Sequence, residues 1–104
     1  KLKTGTIDME LHEILKSPGL VIVDLRKPDE FAVDHIKDSI NIPMEEVPSR
    51  IDELKNMSRP IVLCCATGKD CRSAHIYLSQ HGLQNTYAGG SWLELNVLKT
   101  KSSQ

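Results

Sequence analysis

Leu20-Val21-Ile22-Val23 and Ile61-Val62-Leu63 constrain this chain more than any other feature. Both runs are short, wholly apolar and mostly β-branched. A strand with one wet face alternates polar and apolar residues. A run without that alternation reads as a strand covered on both faces, as in a parallel sheet. Parallel neighbours need crossover connections, and helical patterns stand between the strand-like segments here. The expected class is therefore α/β with a mostly parallel sheet, in which a ligand site lies beyond the strand C-termini. Asp24 and Cys65 fall at two of those ends.

The remaining elements follow from local chemistry. Thr6 caps a first helix, Asp8 and Glu10 suit its positive end, and Ile7, Leu11, Ile14 and Leu15 form its apolar stripe. Ser17-Pro18-Gly19 stops it. Lys27 to Phe31 turns into a short helical segment, and Ser39 to Pro43 alternates as a short strand. Pro48 to Leu54 reads as a helix, with Val47, Ile51 and Leu54 on one side. A further helix starts at Arg72, turns Ala74, Tyr77 and Leu78 inward, and ends at Gly82. Asn85-Thr86-Tyr87 is a last strand, followed by a turn at Ala88-Gly89-Gly90. Ser91 caps a final helix carrying Trp92, Leu95 and Leu98, and Lys99 to Gln104 is a frayed polar tail.

The length of 104 residues suits one domain, residues 1–104, with a single core. A hydrophobic share of 39% against 26% charged predicts a folded chain. The net charge of −1 supplies no basic footprint for nucleic acid and no polybasic membrane segment, and no apolar run is long enough for a bilayer. Three cysteines cannot all pair within one chain, which favours a reducing, cytoplasmic setting and a working thiol over a disulfide framework. The chain starts at Lys1, which fits a mature form or a piece of a longer, multidomain protein. No histidine and cysteine spacing matches a structural zinc site, and no cofactor is expected.

Ile61 to Ser73, IVLCCATGKDCRS, concentrates the chemistry. A buried strand enters a glycine-containing loop and then a helix N-terminus, where unpaired N–H groups and the helix dipole favour an anion. A thiol at such a junction is stabilised as the thiolate. Cys64 continues the strand and reads as a small core hydrophobe. Cys65 and Cys71 bracket the polar loop.

Four segments in order resemble the rhodanese family of sulfurtransferases: Val21 to Arg26 with Glu30-Phe31, His35 to Pro43, Ile61 to Ser73, and Gly89-Gly90-Ser91-Trp92. The resemblance implies a five-stranded parallel sheet with helices on both faces. It also implies a catalytic cysteine, Cys65, that becomes a persulfide, with Gly68 as the loop glycine and Arg72-Ser73 opening the helix. The implied reaction moves sulfane sulfur from a small-molecule donor such as thiosulfate to a thiol or cyanide. Asp34, Lys37 and Asp38 depart from the family pattern on a surface loop. In the active loop, six residues separate Cys65 from Arg72, against four in the family and five in the phosphatases of the same fold. That spacing reads as an insertion and an enlarged cradle, which keeps a phosphatase or arsenate reductase open as an alternative. A non-catalytic regulatory module is the other.

The substrate-binding set is Ala66, Thr67, Gly68, Lys69, Asp70, Cys71 and Arg72. Their backbone N–H groups face the anionic sulfur. Lys69 and Arg72 are candidates for the sulfonate end of a donor, and Arg72 has a second reading as a partner of Asp24. Cys71 is either a resolving thiol for Cys65 or only the residue before the helix. His35 reads as a loop-packing histidine, His75 and His81 as surface groups, and Trp92 as a core anchor.

Overall fold

The computed structural model describes residues 11–102. Residues 11–14 are helical, as the stripe through Leu11 and Ile14 predicts, whereas Thr6, Ile7, Asp8 and Glu10 lie outside the described residues. Strands β1 (Val21–Asp24), β2 (Ile40–Asn41), β3 (Ile61–Cys65) and β4 (Thr86–Ser91) form one sheet in the order β2-β1-β3-β4, with every pairing parallel. The helices are α1 (Pro28–Val33), α2 (Ile51–Met57), α3 (Lys69–Gln80) and α4 (Trp92–Ser102), and a 3-10 helix spans Met44–Arg50. Among the described residues no helix is long and apolar enough to cross a membrane.

The two apolar runs sit side by side at the centre, Val21 opposite Ile61 and Asp24 opposite Cys64. Both strands are buried along their whole length. Because side chains alternate across a sheet, the core divides in two. Val21, Val23, Ile61, Leu63 and Cys65 join Leu54, Cys71, Ala74 and Leu78 on one face. Ile22, Val62 and Cys64 join Leu15 and Leu95 on the other. One residue of register therefore separates Cys64 from Cys65 by the thickness of the sheet.

Several expectations are corrected. The sheet has four strands among the described residues rather than five. The helix expected from Pro48 begins instead as the 3-10 turn at Met44 and becomes α-helical at Ile51, since Pro48 has no N–H for a helical bond. The residues read as a turn, Ala88-Gly89-Gly90, belong to β4. Glycine permits this: a Cβ on Gly89 would stand 2.7 Å from a methyl of Val62 and 2.9 Å from the Leu63 carbonyl, so only a bare backbone lets β4 close on β3. The supposed tail from Lys99 is the last turn of α4, which continues to Ser102. Finally, α3 starts at Lys69, not Arg72. Gly68, at φ +99°, turns the chain into the helix, and Asp70 suits its first turn.

At the end of β1 the Asp24 carboxylate is fully buried, and its partner is Arg26 rather than Arg72. Oδ1 accepts the Arg26 backbone N–H and Nε at 3.0 Å each, and Oδ2 accepts Nη2 at 2.9 Å. Burial opposes the guanidinium charge, but the Asp24 carboxylate outweighs it and raises the Arg26 pKa. Nη2 also donates to the Asp34 carbonyl at 2.7 Å, and the guanidinium carbon lies 4.2 Å from the Trp92 ring centroid. Trp92 thus does more than anchor α4. Arg26→Met strands a buried carboxylate and is expected to cost roughly 3–5 kcal/mol in denaturant unfolding. A loss below about 1 kcal/mol would show that the pair contributes no more than a surface ion pair.

Candidate active site

Cys65 closes β3, and only three residues, 66–68, separate it from α3. Its sulfur accepts the Gly68 N–H at 3.0 Å and the Cys71 N–H at 3.3 Å. Of the seven residues expected to form the cradle, these two turn their N–H groups to the thiol in this way. The Arg72 N–H instead bonds the Gly68 carbonyl at 3.4 Å, as a helical bond, and the Lys69 N–H meets Thr67 Oγ1. Ala66, Thr67, Lys69 and Asp70 are exposed.

Because the helix begins at Lys69, the enlarged loop read from the Cys65 to Arg72 spacing is absent. The six intervening residues are a three-residue loop and the first helical turn. With four residues after Cys65, the spacing that the resemblance implies, the arginine's place falls on Asp70, in the first turn of α3. Arg72 lies two residues farther along the helix, is exposed, and lines the neighbouring cleft.

Cys71 points inward, not to solvent. Its thiol donates to the Gly68 carbonyl at 3.2 Å and accepts the Gly90 N–H at 3.3 Å. Burial first, with the neighbouring Cys65 sulfur adding to it, pushes the Cys71 pKa up to about 11, against the opposing pull of the Gly90 N–H. Cys64, on the other face, is pushed up further by burial and then by the Asp24 carboxylate. It is a core residue, as its place in the strand predicts.

A cleft of about 410 Å³ is walled by Leu11, Arg72, His75, Tyr87 and Ala88, with Gly68, Cys71 and Gly90 also lining it, while Cys65 itself is buried and outside that lining. Gly68 and Gly90 approach closely: a Cβ on Gly68 would lie 3.4 Å from Gly90 Cα. His75, read from sequence as a surface group, is half-buried with Nδ1 2.8 Å from Thr86 Oγ1. Its spacing of one helical turn from Cys71 was the signal that places it on the same face. His35 stacks on Phe31 and bonds its carbonyl, a loop-packing role. His81 is exposed and bonds the Tyr77 carbonyl. Among the described residues, no group of His, Cys, Asp and Glu is arranged to hold a metal ion.

A family model described as Rhodanese-like domain matches residues 9–92. Thiosulfate sulfurtransferase GlpE of Pseudomonas syringae is 32% identical, over 86% of this chain and 83% of its own length. The tRNA uridine(34) hydroxylase of Hamiltonella defensa is 36% identical over 75% of this chain, but the chain spans only 23% of its length. Among solved structures, a rhodanese-related protein from Thermoplasma volcanium superposes with a TM-score of 0.69 at 28% identity, covering 86% of this chain and 85% of that one.

The buried thiols give a signed pH dependence. In the unfolded chain cysteine ionises near pH ~8.5, while Cys71 in the fold does so at about 11 and Cys64 is also raised. A raised folded pKa contributes stability that is complete below the unfolded value and is lost as pH climbs towards the folded one. The urea midpoint should therefore fall from about pH 8 to 10.5, and Cys64→Ala should flatten that fall. Parallel pH profiles for the two proteins would refute the burial of Cys64 as its cause.

Proposed function

The chain belongs to the rhodanese-like family, and from that premise we propose that it is a sulfurtransferase carrying sulfane sulfur on Cys65. The observation that carries this reading is the Cys65 sulfur at a strand end with the Gly68 and Cys71 N–H groups aimed at it. Those donors favour negative charge on sulfur, both in the attacking thiolate and in the persulfide it becomes. The Cys65 thiolate attacks the outer sulfur of thiosulfate, the S–S bond breaks, and sulfite leaves with the bonding pair. An acceptor thiolate or cyanide then removes the outer sulfur and returns Cys65.

The cleft supports binding of both small molecules. Arg72 is the lining cation and offers two hydrogen bonds to a sulfonate or carboxylate. Lys69 is exposed and outside the lining. His75 is the lining group suited to take the proton of an acceptor thiol. Asp70 stands where the family has its arginine, which disfavours an anionic donor and shifts that task to Arg72. The short loop removes the reason for a phosphatase or arsenate reductase reading. The activity in the name of the hydroxylase relative belongs to a much longer chain, of which this one spans 23%.

Sulfite formation from thiosulfate, with a small thiol in excess as acceptor, tests this. Cys65→Ser should abolish it. Arg72→Ala should raise KM for thiosulfate about tenfold, the scale of one lost charged hydrogen bond, with a smaller effect on kcat. Asp70→Arg should lower KM. Full activity in Cys65→Ser would end the proposal, and an unchanged KM in both charge variants would remove Arg72 from donor binding.

A further inference from the structure

Cys71 has no part in the transfer just described beyond its backbone N–H, yet its side chain is held in the site. It is 1% exposed and belongs to the same face and cluster as Cys65. The Cys71 backbone N–H donates to the Cys65 sulfur at 3.3 Å, and Gly68 bonds both sulfurs, its N–H to Cys65 and its carbonyl to Cys71. Gly68 and Gly90 fix the Cys71 sulfur from two sides. A cysteine that only preceded a helix would need none of these contacts.

We propose that Cys71 is a resolving thiol that discharges the Cys65 persulfide within the chain, releasing sulfide and leaving a Cys65–Cys71 disulfide. This rests on the sulfurtransferase reading above. In the step, the Cys71 sulfur attacks the inner sulfur of Cys65–S–S⁻. The bond between inner and outer sulfur breaks, and the outer sulfur departs with the electron pair. The proton of the Cys71 thiol goes to that departing sulfur, which leaves as HS⁻. The sulfane sulfur is reduced by two electrons and the two thiols are oxidised by two, so no outside oxidant enters. Thiosulfate and the dithiol thus become sulfite, sulfide and the disulfide, and a solution thiol resets the pair by exchange.

The surroundings suit each part of that step. Burial raises the Cys71 pKa, so the thiol carries a proton; passing it to the outer sulfur leaves the Cys71 thiolate that attacks and lets the outer sulfur depart as HS⁻. The Gly90 N–H at 3.3 Å faces the Cys71 sulfur as it gains negative character. Cys71 and Gly68 both line the cleft, which gives the small anion a way out. Cys64 cannot substitute, because it lies on the opposite face of the sheet.

The test uses the whole reduced chain, desalted and mixed with thiosulfate in the absence of any thiol. Sulfite reports loading of Cys65, and sulfide reports resolution. The expected result is equal sulfite and sulfide, one of each per chain, with peptide mapping finding Cys65 joined to Cys71 and the chain about 2 Da lighter. In Cys71→Ser and Cys71→Ala the ratio of sulfide to sulfite should fall to near zero. Sulfite without sulfide in the native sequence, with a persulfide about 32 Da heavier at Cys65 and an alkylatable Cys71, would overturn the proposal. So would a sulfide-to-sulfite ratio unchanged by both substitutions. Absence of sulfite would overturn the sulfurtransferase reading instead, and mild peroxide then decides the role of Cys71. Peroxide converts the Cys65 thiol to a sulfenic acid with loss of water, and Cys71 displaces a second water to form the disulfide. Finding that disulfide supports the pairing, whereas Cys65 sulfinate beside a free Cys71 refutes it.

Discussion

Two backbone N–H groups on one sulfur atom are the constraint around which this protein is built. For the Gly68 and Cys71 amides to reach Cys65 at 3.0 and 3.3 Å, β3 must end at that residue and the chain must reverse within three more. The reversal needs the left-handed backbone of Gly68. Helix α3 must then begin at once, so that the N–H of its third residue is still unclaimed by the helix and free to turn to the thiol. The loop in turn rests against Gly90, which requires β4 to run on through its glycines and lie close to β3. Each requirement is met by a backbone feature, not by a side chain, so the cradle for a sulfur anion is part of the fold itself.

A second buried interaction steadies the neighbouring strand end. Asp24 and Arg26 are paired with almost no exposure, and the pair recruits the loops around it. Arg26 binds the Asp34 carbonyl and covers Trp92, while Asn41 donates to the Asp24 and Arg26 carbonyls at 2.9 and 3.0 Å. The loop after β1, the loop before β2 and the start of α4 are thereby tied together. A buried ion pair is a costly way to gain stability, but a specific one for fixing loop geometry. Here it ties the loops at the strand ends, where Asp24 lies opposite Cys64.

Much of this was legible in the residues themselves. The unbroken Leu20 to Val23 and Ile61 to Leu63 runs identify strands covered on both faces, and strict alternation then separates Cys64 from Cys65. Gly82, at φ +93°, ends α3 as its position after the apolar stripe predicts. The start of the same helix was not legible. Its N-cap is a glycine without a capping side chain, so nothing in Lys69-Asp70-Cys71 announces helix, and counting from Cys65 to Arg72 mistakes a helical turn for an inserted loop. The partner of Asp24 is hidden in the sequence for a related reason. An arginine two residues away in sequence pairs with it only because the chain bends after β1. The glycines of β4 looked like a turn because sequence does not reveal how closely two backbones approach. The stacked role of Trp92 likewise depends on a tertiary contact with Arg26.

The claim that Cys65 is the sulfur carrier faces its most direct test in rapid quenching of the reduced protein with thiosulfate, followed by alkylation and peptide mapping of all three cysteines. Cys65 alone should acquire a new bond to the donor's sulfur, seen as its persulfide or, once that is discharged, as its disulfide with Cys71, while Cys64 remains a free thiol. Sulfur on Cys64, or a Cys65 that stays unmodified while sulfite accumulates, would contradict it.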